Sequence, residues 1–232
     1  MKNKKILVLG CSYSKWGDRP SDSGATLSWP KLLANKLPDW QIYNAAMYSN
    51  STAFQLYELS IYVHWDFDLI IWQLPPKYRA TYFLIKGTDT FRSNLFKDFK
   101  NTNYTTYDDS KYHDSVYHSP MRGVNKNIFY KMDSFRDKHC ISRRTGIYDY
   151  ANVNYGVQIL KANDAHYLIF DHIAAYPRSP LCDDIHFCTA DEFNTELTEF
   201  QADTSGHFND KGYRALVNRL ILPRISKYVH VQ

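Results

Sequence analysis

The sequence predicts a doubly wound α/β fold, and three observations predict it. Short, wholly apolar runs, Ile6-Leu7-Val8-Leu9 and Leu69-Ile70-Ile71-Trp72, are what a parallel strand covered on both faces requires. They alternate with amphipathic stretches of helical length, the rhythm of strand–helix–strand units. The first run ends on Gly10 and is followed by Cys11-Ser12, which sets a serine hydroxyl at the carboxyl edge of a central strand. Sheets of this kind keep their ligand crevices at that edge.

The elements follow in order. After the first strand, residues 13–26 are polar, hold Gly17, Pro20 and Gly24, and are expected to be loop. Ser28-Trp29-Pro30 opens a helix to residue 37, with a capping hydroxyl and a proline in the first turn, where its missing N–H costs nothing. Residues 40–45 are a second strand ending near Asn44. A helix spans 51–65, with apolar Phe54, Leu56, Leu59, Ile61 and Val63. Residues 68–74 are a third strand, stopped by Pro75-Pro76, and 165–170 a fourth. The last helix covers 209–229 with Tyr213, Leu216, Val217, Leu220 and Ile221 on one face and Pro223 as a kink.

Between the third and fourth strands lies more chain than one crossover helix needs. Residues 101–119 show neither helical nor strand period but hold Tyr104, Tyr107, Tyr112 and Tyr117, and are expected outside the sheet as a lid, binding loop or contact surface. Helices are expected at 124–138 and 148–162. The chain therefore reads as a single domain over residues 1–232, with an insertion at about 77–163.

Composition excludes several classes. The chain has 232 residues, 44% of them hydrophobic, enough for one substantial core. With 28 basic and 24 acidic residues its net charge is only +4, and no basic run with interleaved aromatics suggests nucleic acid. No run approaches the roughly 18 apolar residues of a membrane span. Met1-Lys2-Asn3-Lys4-Lys5 mimics the start of a signal peptide, but the apolar stretch behind it is only Ile6 to Leu9. The N-terminus is read as mature protein and the location as cytoplasmic. Cys11, Cys140, Cys182 and Cys188 form no CxxC pair and no zinc spacing, so no metal and no cofactor are expected; free thiols are the reading, a Cys182–Cys188 bridge the alternative.

Chemistry-bearing residues gather at the two ends of the chain. Ser12 is the candidate nucleophile, and a serine needs a neighbouring base to take its proton as it attacks. His207 is the candidate base, and Asp203, four positions earlier and just before the last helix, is the candidate orienter of its ring. Gly206 gives the backbone freedom to accommodate that spacing. Asp184 with His186 is the fallback pair, placed in a polar loop after the fourth strand, and Cys11 is a rival nucleophile read as structural. Trp16 and Arg19, just past Ser12, and Arg79, after Pro75-Pro76, are candidate substrate contacts.

These ends resemble the SGNH/GDSL hydrolases, serine esterases and lipases built as a three-layer α/β/α sandwich around a flavodoxin-like sheet. Their first block, Gly-Asp-Ser, is matched by Gly10-Cys11-Ser12, and their last by Asp203 and His207. The second block keeps Asn44 but loses both glycines in Ala45-Ala46-Met47-Tyr48-Ser49, and the third stands as Gln73-Leu74-Pro75-Pro76. The resemblance implies an oxyanion hole built from the backbone N–H of Ser12 and that of Ser49. Its third donor would fall on Pro75, which has no donor, so the amides of Gln73 or Asn50 are the expected substitutes. What it implies for function is hydrolysis of a short acyl ester, acetyl among them, on a carbohydrate or other small-molecule alcohol, through an acyl-enzyme on Ser12. The alternative is a non-catalytic or acyl-transferring module of the same fold, with the Tyr-rich segment serving recognition. A flavodoxin-like cofactor binder is third, since the first loop lacks a phosphate-wrapping pattern.

Overall fold

A computed structural model describes residues 4–18, 24–48, 50–75, 80–83, 96–98, 103–107, 116–119, 142–171, 185–187, 197–202 and 207–229. In chain order the elements are β1 (Lys4–Leu9), a 3₁₀ turn (Ser12–Ser14), α1 (Trp29–Lys36), β2 (Trp40–Asn44), α2 (Thr52–Tyr62) and β3 (Leu69–Leu74). Then come β4 (Ala80–Phe83), β5 (Phe96–Asp98), β6 (Tyr104–Tyr107), β7 (Val116–Ser119) and α3 (Ser142–Ala162). The chain continues with β8 (Tyr167–Asp171), β9 (Ile185–Phe187), a second 3₁₀ turn (Leu197–Phe200) and α4 (Asp210–Ala215). Beyond α4 the helix runs on through a π-helical stretch (Leu216–Ile221) into α5 (Leu222–Ile225).

The main sheet has seven strands in the order β5-β6-β2-β1-β3-β8-β9, parallel except for β5, which pairs antiparallel with β6. The run β2-β1-β3-β8-β9 is the doubly wound order 2-1-3-4-5 expected for a flavodoxin-like sheet. Successive side chains of a strand face opposite ways, and both faces are covered. On one face Ile6 and Val8 join Trp29 and Leu33 of α1 and Leu216, Leu220 and Ile221 of the last helix. On the other Leu7 and Leu9 join Phe54 and Leu59 of α2 and Val153, Val157 and Leu160 of α3. Each such side chain removed from water contributes about 1.5–3 kcal/mol. At Gly156 α3 comes so close to the Trp72 indole that a Cβ would overlap it.

Several expectations are corrected. Residues 101–119 do not all lie outside the sheet: Tyr104–Tyr107 is one of its strands, parallel to β2. Hydroxyls there hid the burial. Tyr104, Thr105 and Thr106 are buried because each oxygen has a hydrogen-bond partner, on Asn44, Gln41 or Asp18, and aromatic and β-branched residues suit a pleated surface. Tyr117 lies in β7, whose antiparallel partner is β4, in a separate two-stranded ribbon. The polar loop expected around His186 is instead β9, parallel to β8. Ser28 has the extended backbone of a cap but makes no side-chain capping bond, whereas Ser51 and Asn209 cap α2 and α4 by accepting from Phe54 N and Gly212 N. Pro223, which has no N–H for the helix ladder, is met by the π-helical widening before it, and the expected apolar face stays buried. The helix expected at 124–138, and Cys140, Cys182 and Cys188, lie outside the described residues.

Candidate active site

The turn that follows β1 is held in place by side chains from four other elements and from the loop between β2 and α2. Gly10 O accepts from Asn50 Nδ2 at 3.1 Å. Cys11 N donates to Gln73 Oε1 at 3.2 Å, and the Ser14 hydroxyl donates to the same oxygen at 3.1 Å. Trp29 Nε1 of α1 donates to Ser14 Oγ at 3.1 Å, and Asn44 Nδ2 at the end of β2 donates to Ser14 O at 2.9 Å. Tyr213 of α4 donates its hydroxyl to Tyr13 O at 3.0 Å, and Tyr48 reaches Lys15 O at 3.3 Å. Within the turn, Lys15 N and Trp16 N close back on Ser12 O at 3.0 and 2.7 Å. Gly10 is required by this crowding, because a Cβ there would sit 2.7 Å from Ser14 Cβ and 3.2 Å from Gln73 Oε1.

Ser12 stands at the head of that turn, 6% exposed. His207 arrives from the far end of the chain. Its ring stacks on Trp16 at 4.0 Å and 12°, and meets Tyr13 at 4.9 Å, tilted by 53°. Such ring pairs contribute about 0.5–1.5 kcal/mol beyond area burial and fix orientation. Docking of the α4 terminus on the loop after the turn brings the histidine there: Asp210 N donates to Gly24 O at 3.1 Å, and Thr26 donates to the Asp210 carboxylate through N and Oγ1 at 2.7 and 2.8 Å. His207 is 9% exposed, with Nε2 shielded from solvent. None of the described hydrogen bonds joins Ser12 Oγ to His207; the imidazole is carried by the residues just after the serine.

Beneath the turn lies a buried charge cluster. Lys15 is 2% exposed, and its charge acts on Asp18, whose side chain is 5% exposed and 3.2 Å from Lys31 Nζ. Tyr104 donates its hydroxyl to Asp18 at 2.9 Å and accepts from Asn44 Nδ2 at 2.8 Å. Burial raises the Asp18 carboxyl above its ordinary value, against the opposing pull of Lys31, the Ser28 and Tyr104 hydroxyls and Lys15. Burial, then the Asp18 charge, pushes the Tyr104 phenol well above its own. The cluster ties the loop at Asp18, α1 and β6 to the turn.

Of the sequence-predicted site residues, the structure gathers Ser12, His207, Trp16, Asn50 and Gln73 at the carboxyl edge; Asp203, Arg19, Ser49 and Arg79 lie outside the described residues. Trp16 turns a face to His207. Asn50 and Gln73 were expected to offer amide N–H groups to an oxyanion. The Asn50 amide donates both its protons, to Gly10 O and Glu58 Oε2, and that of Gln73 donates one of its two to Leu74 O. Cys11 is a buried thiol pointing at Gln73 Oε1 at 3.4 Å, in keeping with a structural part. His186 lies in β9, at the sheet edge beyond β8, while Asp184 is outside the described residues. Sequence reasoning missed Ser14, Lys15, Asp18 and the fully buried Asp171 at the end of β8. The available signal was position: Ser14 closes the turn after β1, Lys15 and Asp18 come just after it, and Asp171 ends β8.

Among the described residues no group of three or more His, Cys, Asp or Glu could hold a metal ion, and no helix is long and apolar enough to cross a membrane. A cleft of about 480 Å³ opens at the opposite, amino edge of the sheet, lined by Lys4, Trp40, Asp66, Asp164, His166 and Tyr228 among others. Compared with known proteins, the chain matches no family model and no curated sequence.

Proposed function

We propose that this chain is a serine hydrolase of the SGNH/GDSL type that removes a short acyl group, acetyl foremost, from a carbohydrate or similar polar ester. The observation that carries the reading is the placement of His207, stacked on Trp16 and packed on Tyr13, over the clamped turn that begins with Ser12. Ser12 Oγ attacks the ester carbonyl while His207 takes its proton; the tetrahedral intermediate collapses, and His207 returns that proton to the leaving alcohol. Water then adds to the acyl-serine by the same route, releasing the acid and restoring Ser12. Asp203 holds the imidazole tautomer. The Ser12 N–H and that of Ser49 receive the oxyanion, each donor lowering the barrier by about 3–4 kcal/mol. Trp16, Arg19 and Arg79 border the substrate.

A second reading, a non-catalytic or acyl-transferring module, has one observation in its favour: both amide protons of Asn50 are committed, to Gly10 O and Glu58 Oε2, and one of the two on Gln73 to Leu74 O. Reaction with a fluorophosphonate and turnover of p-nitrophenyl acyl esters separate the two. The hydrolase should be labelled on Ser12 and should prefer short chains, and Ser12→Ala should lose about 10³-fold or more in turnover with its circular dichroism unchanged. A folded wild type inert to both reagents gives the module reading the field.

A further inference from the structure

The amide of Gln73 is oriented by its surroundings, whichever way round its oxygen and nitrogen are drawn. Cys11 N–H can only donate. The Ser14 hydroxyl accepts from Trp29 Nε1, an indole that can only donate, so the one hydroxyl proton is left to point onward, to Gln73. Two donors therefore converge on the same spot at 3.2 and 3.1 Å, with the weak Cys11 thiol third at 3.4 Å, and only a carbonyl oxygen satisfies them. Trp29, Ser14, Cys11 and Gln73 are all fully buried, so water does not stand in for any of these bonds. The partners stand one residue before and two residues after the candidate nucleophile.

We propose that Gln73 is a positioning residue for Ser12: its side-chain oxygen, as acceptor for Cys11 N–H and the Ser14 hydroxyl, holds the Gly10–Cys11 peptide just before the serine and the Ser14 side chain two residues after it. The proposal rests on the hydrolase reading for its kinetic consequence, but not for the clamp itself. It differs in sign from a role as oxyanion donor. A donor of N–H is replaced harmfully by leucine and more harmfully by glutamate, whose charge repels a developing anion. An acceptor is replaced harmfully by leucine, whereas glutamate keeps the accepting oxygen and, protonated in this buried site, can still donate to Leu74 O as the Gln73 amide does.

The experiment compares full-length wild type, Gln73→Leu and Gln73→Glu by fluorophosphonate labelling, separating the limiting rate from the half-saturating concentration, with amide hydrogen exchange at Cys11 alongside. Expected is a limiting rate about 10²-fold lower in Gln73→Leu, the cost of a small misplacement of the attacking atom, with half-saturation within about threefold. Gln73→Glu should stay within about tenfold of wild type, and Cys11 protection should fall in the leucine variant alone. Glutamate slower than leucine overturns the proposal in favour of an oxyanion donor. Unchanged labelling and unchanged Cys11 exchange in Gln73→Leu overturn it outright. Should wild type resist labelling, the hydrolase reading fails by itself, and Cys11 exchange still decides the clamp: lost in leucine and kept in glutamate supports it, kept in both overturns it. If Gln73→Leu does not fold, Ser14→Ala, which leaves Gln73 in place, should slow labelling about tenfold, and no change there overturns the relay.

Discussion

The two ends of the sheet differ in where they put polar atoms. The amino edge holds a cleft of about 480 Å³, with Lys4 lying over Trp40 at 5.0 Å and Lys227 over Tyr228 at 4.7 Å. The carboxyl edge buries Ser14, Lys15, Asn44, Asn50 and Gln73 in one connected set of hydrogen bonds around the Ser12 turn. Burying polar groups is costly unless every one is partnered, and a fully partnered set fixes one geometry. Chemistry that depends on a positioned serine calls for an over-determined backbone, and the hydrogen bonds around the Ser12 turn supply one.

The comparison breaks most directly with histidines. His207→Ala, at the carboxyl edge, should lower ester turnover by about 10³-fold, since the base is lost. His166→Ala, in the amino-edge cleft and stacked on Tyr228 at 4.5 Å, should leave turnover within about twofold. A kinetic assay of both variants suffices; equal losses would erase the distinction between the two edges. Next in size is Gly10→Ala. Its methyl would have to displace the Ser14 side chain, 2.7 Å from Cβ to Cβ, inside a packed network. Overpacking of that kind costs about 1–3 kcal/mol, read as a lower denaturation midpoint. Turnover should fall together with stability. A variant as stable and active as wild type would show that the turn is looser than its hydrogen bonds imply.

The central strands and their helices were legible from the sequence because they obey one rule, apolar residues in a continuous covered run or at the helix period. Ile6 to Leu9 and Ile70 to Trp72 could hardly be anything but covered strands. Tyr104-Thr105-Thr106 was not legible, since its burial depends on partners sixty residues away, Asn44 at 2.8 Å from the Tyr104 hydroxyl and Gln41 at 3.0 Å from the Thr105 hydroxyl. Ile185-His186-Phe187 was too short to show a period. The site divides in the same way. Ser12 and His207 were visible as reactive residue types beside strand and helix ends, whereas Gln73 could be picked out only as an amide. Which of its atoms faces the turn is decided by Trp29 and Ser14, far away in sequence.

The contact that docks α4 on the loop after Ser12 should give the carboxyl edge a pH signature. Burial pushes the Asp210 carboxyl up, but hydrogen bonds from Thr26 N and Oγ1 and from the Leu27 backbone, with the charge of Arg214, together hold it below its ordinary 3.8. A carboxylate whose folded value is depressed contributes stability above the unfolded value, and that contribution is lost as pH falls through the folded one. Asp210→Asn should therefore melt lower than wild type from about pH 5 to 7, by less than about 1 kcal/mol because the group is largely solvent-screened, and the gap should close below 3.8. Thermal midpoints across that range check it. A gap that widens in acid would mean that the charge opposes docking.

The smallest expected effect sharpens the comparison from the amino edge. Helix α3 ends with Ala165 N on Leu160 O at 3.1 Å and Asp164 N on Lys161 O at 3.2 Å, a Schellman pair, with Asp164 in the left-handed position at φ 49. Glycine is the residue that position favours, so Asp164→Gly relieves a steric cost of about 1 kcal/mol, somewhat less for aspartate than for most residues. It also removes a negative charge from a helix C-terminus, where the dipole disfavours it by about 0.3–1 kcal/mol. Against this, glycine loosens the unfolded chain by about 0.5–1 kcal/mol. The balance is a gain of about 0.5 kcal/mol, visible as a higher urea midpoint at unchanged slope, with ester turnover unaltered. A loss instead would mean that the Asp164 carboxylate does something in the cleft that its backbone geometry does not require, and the amino edge would then hold an organised site of its own.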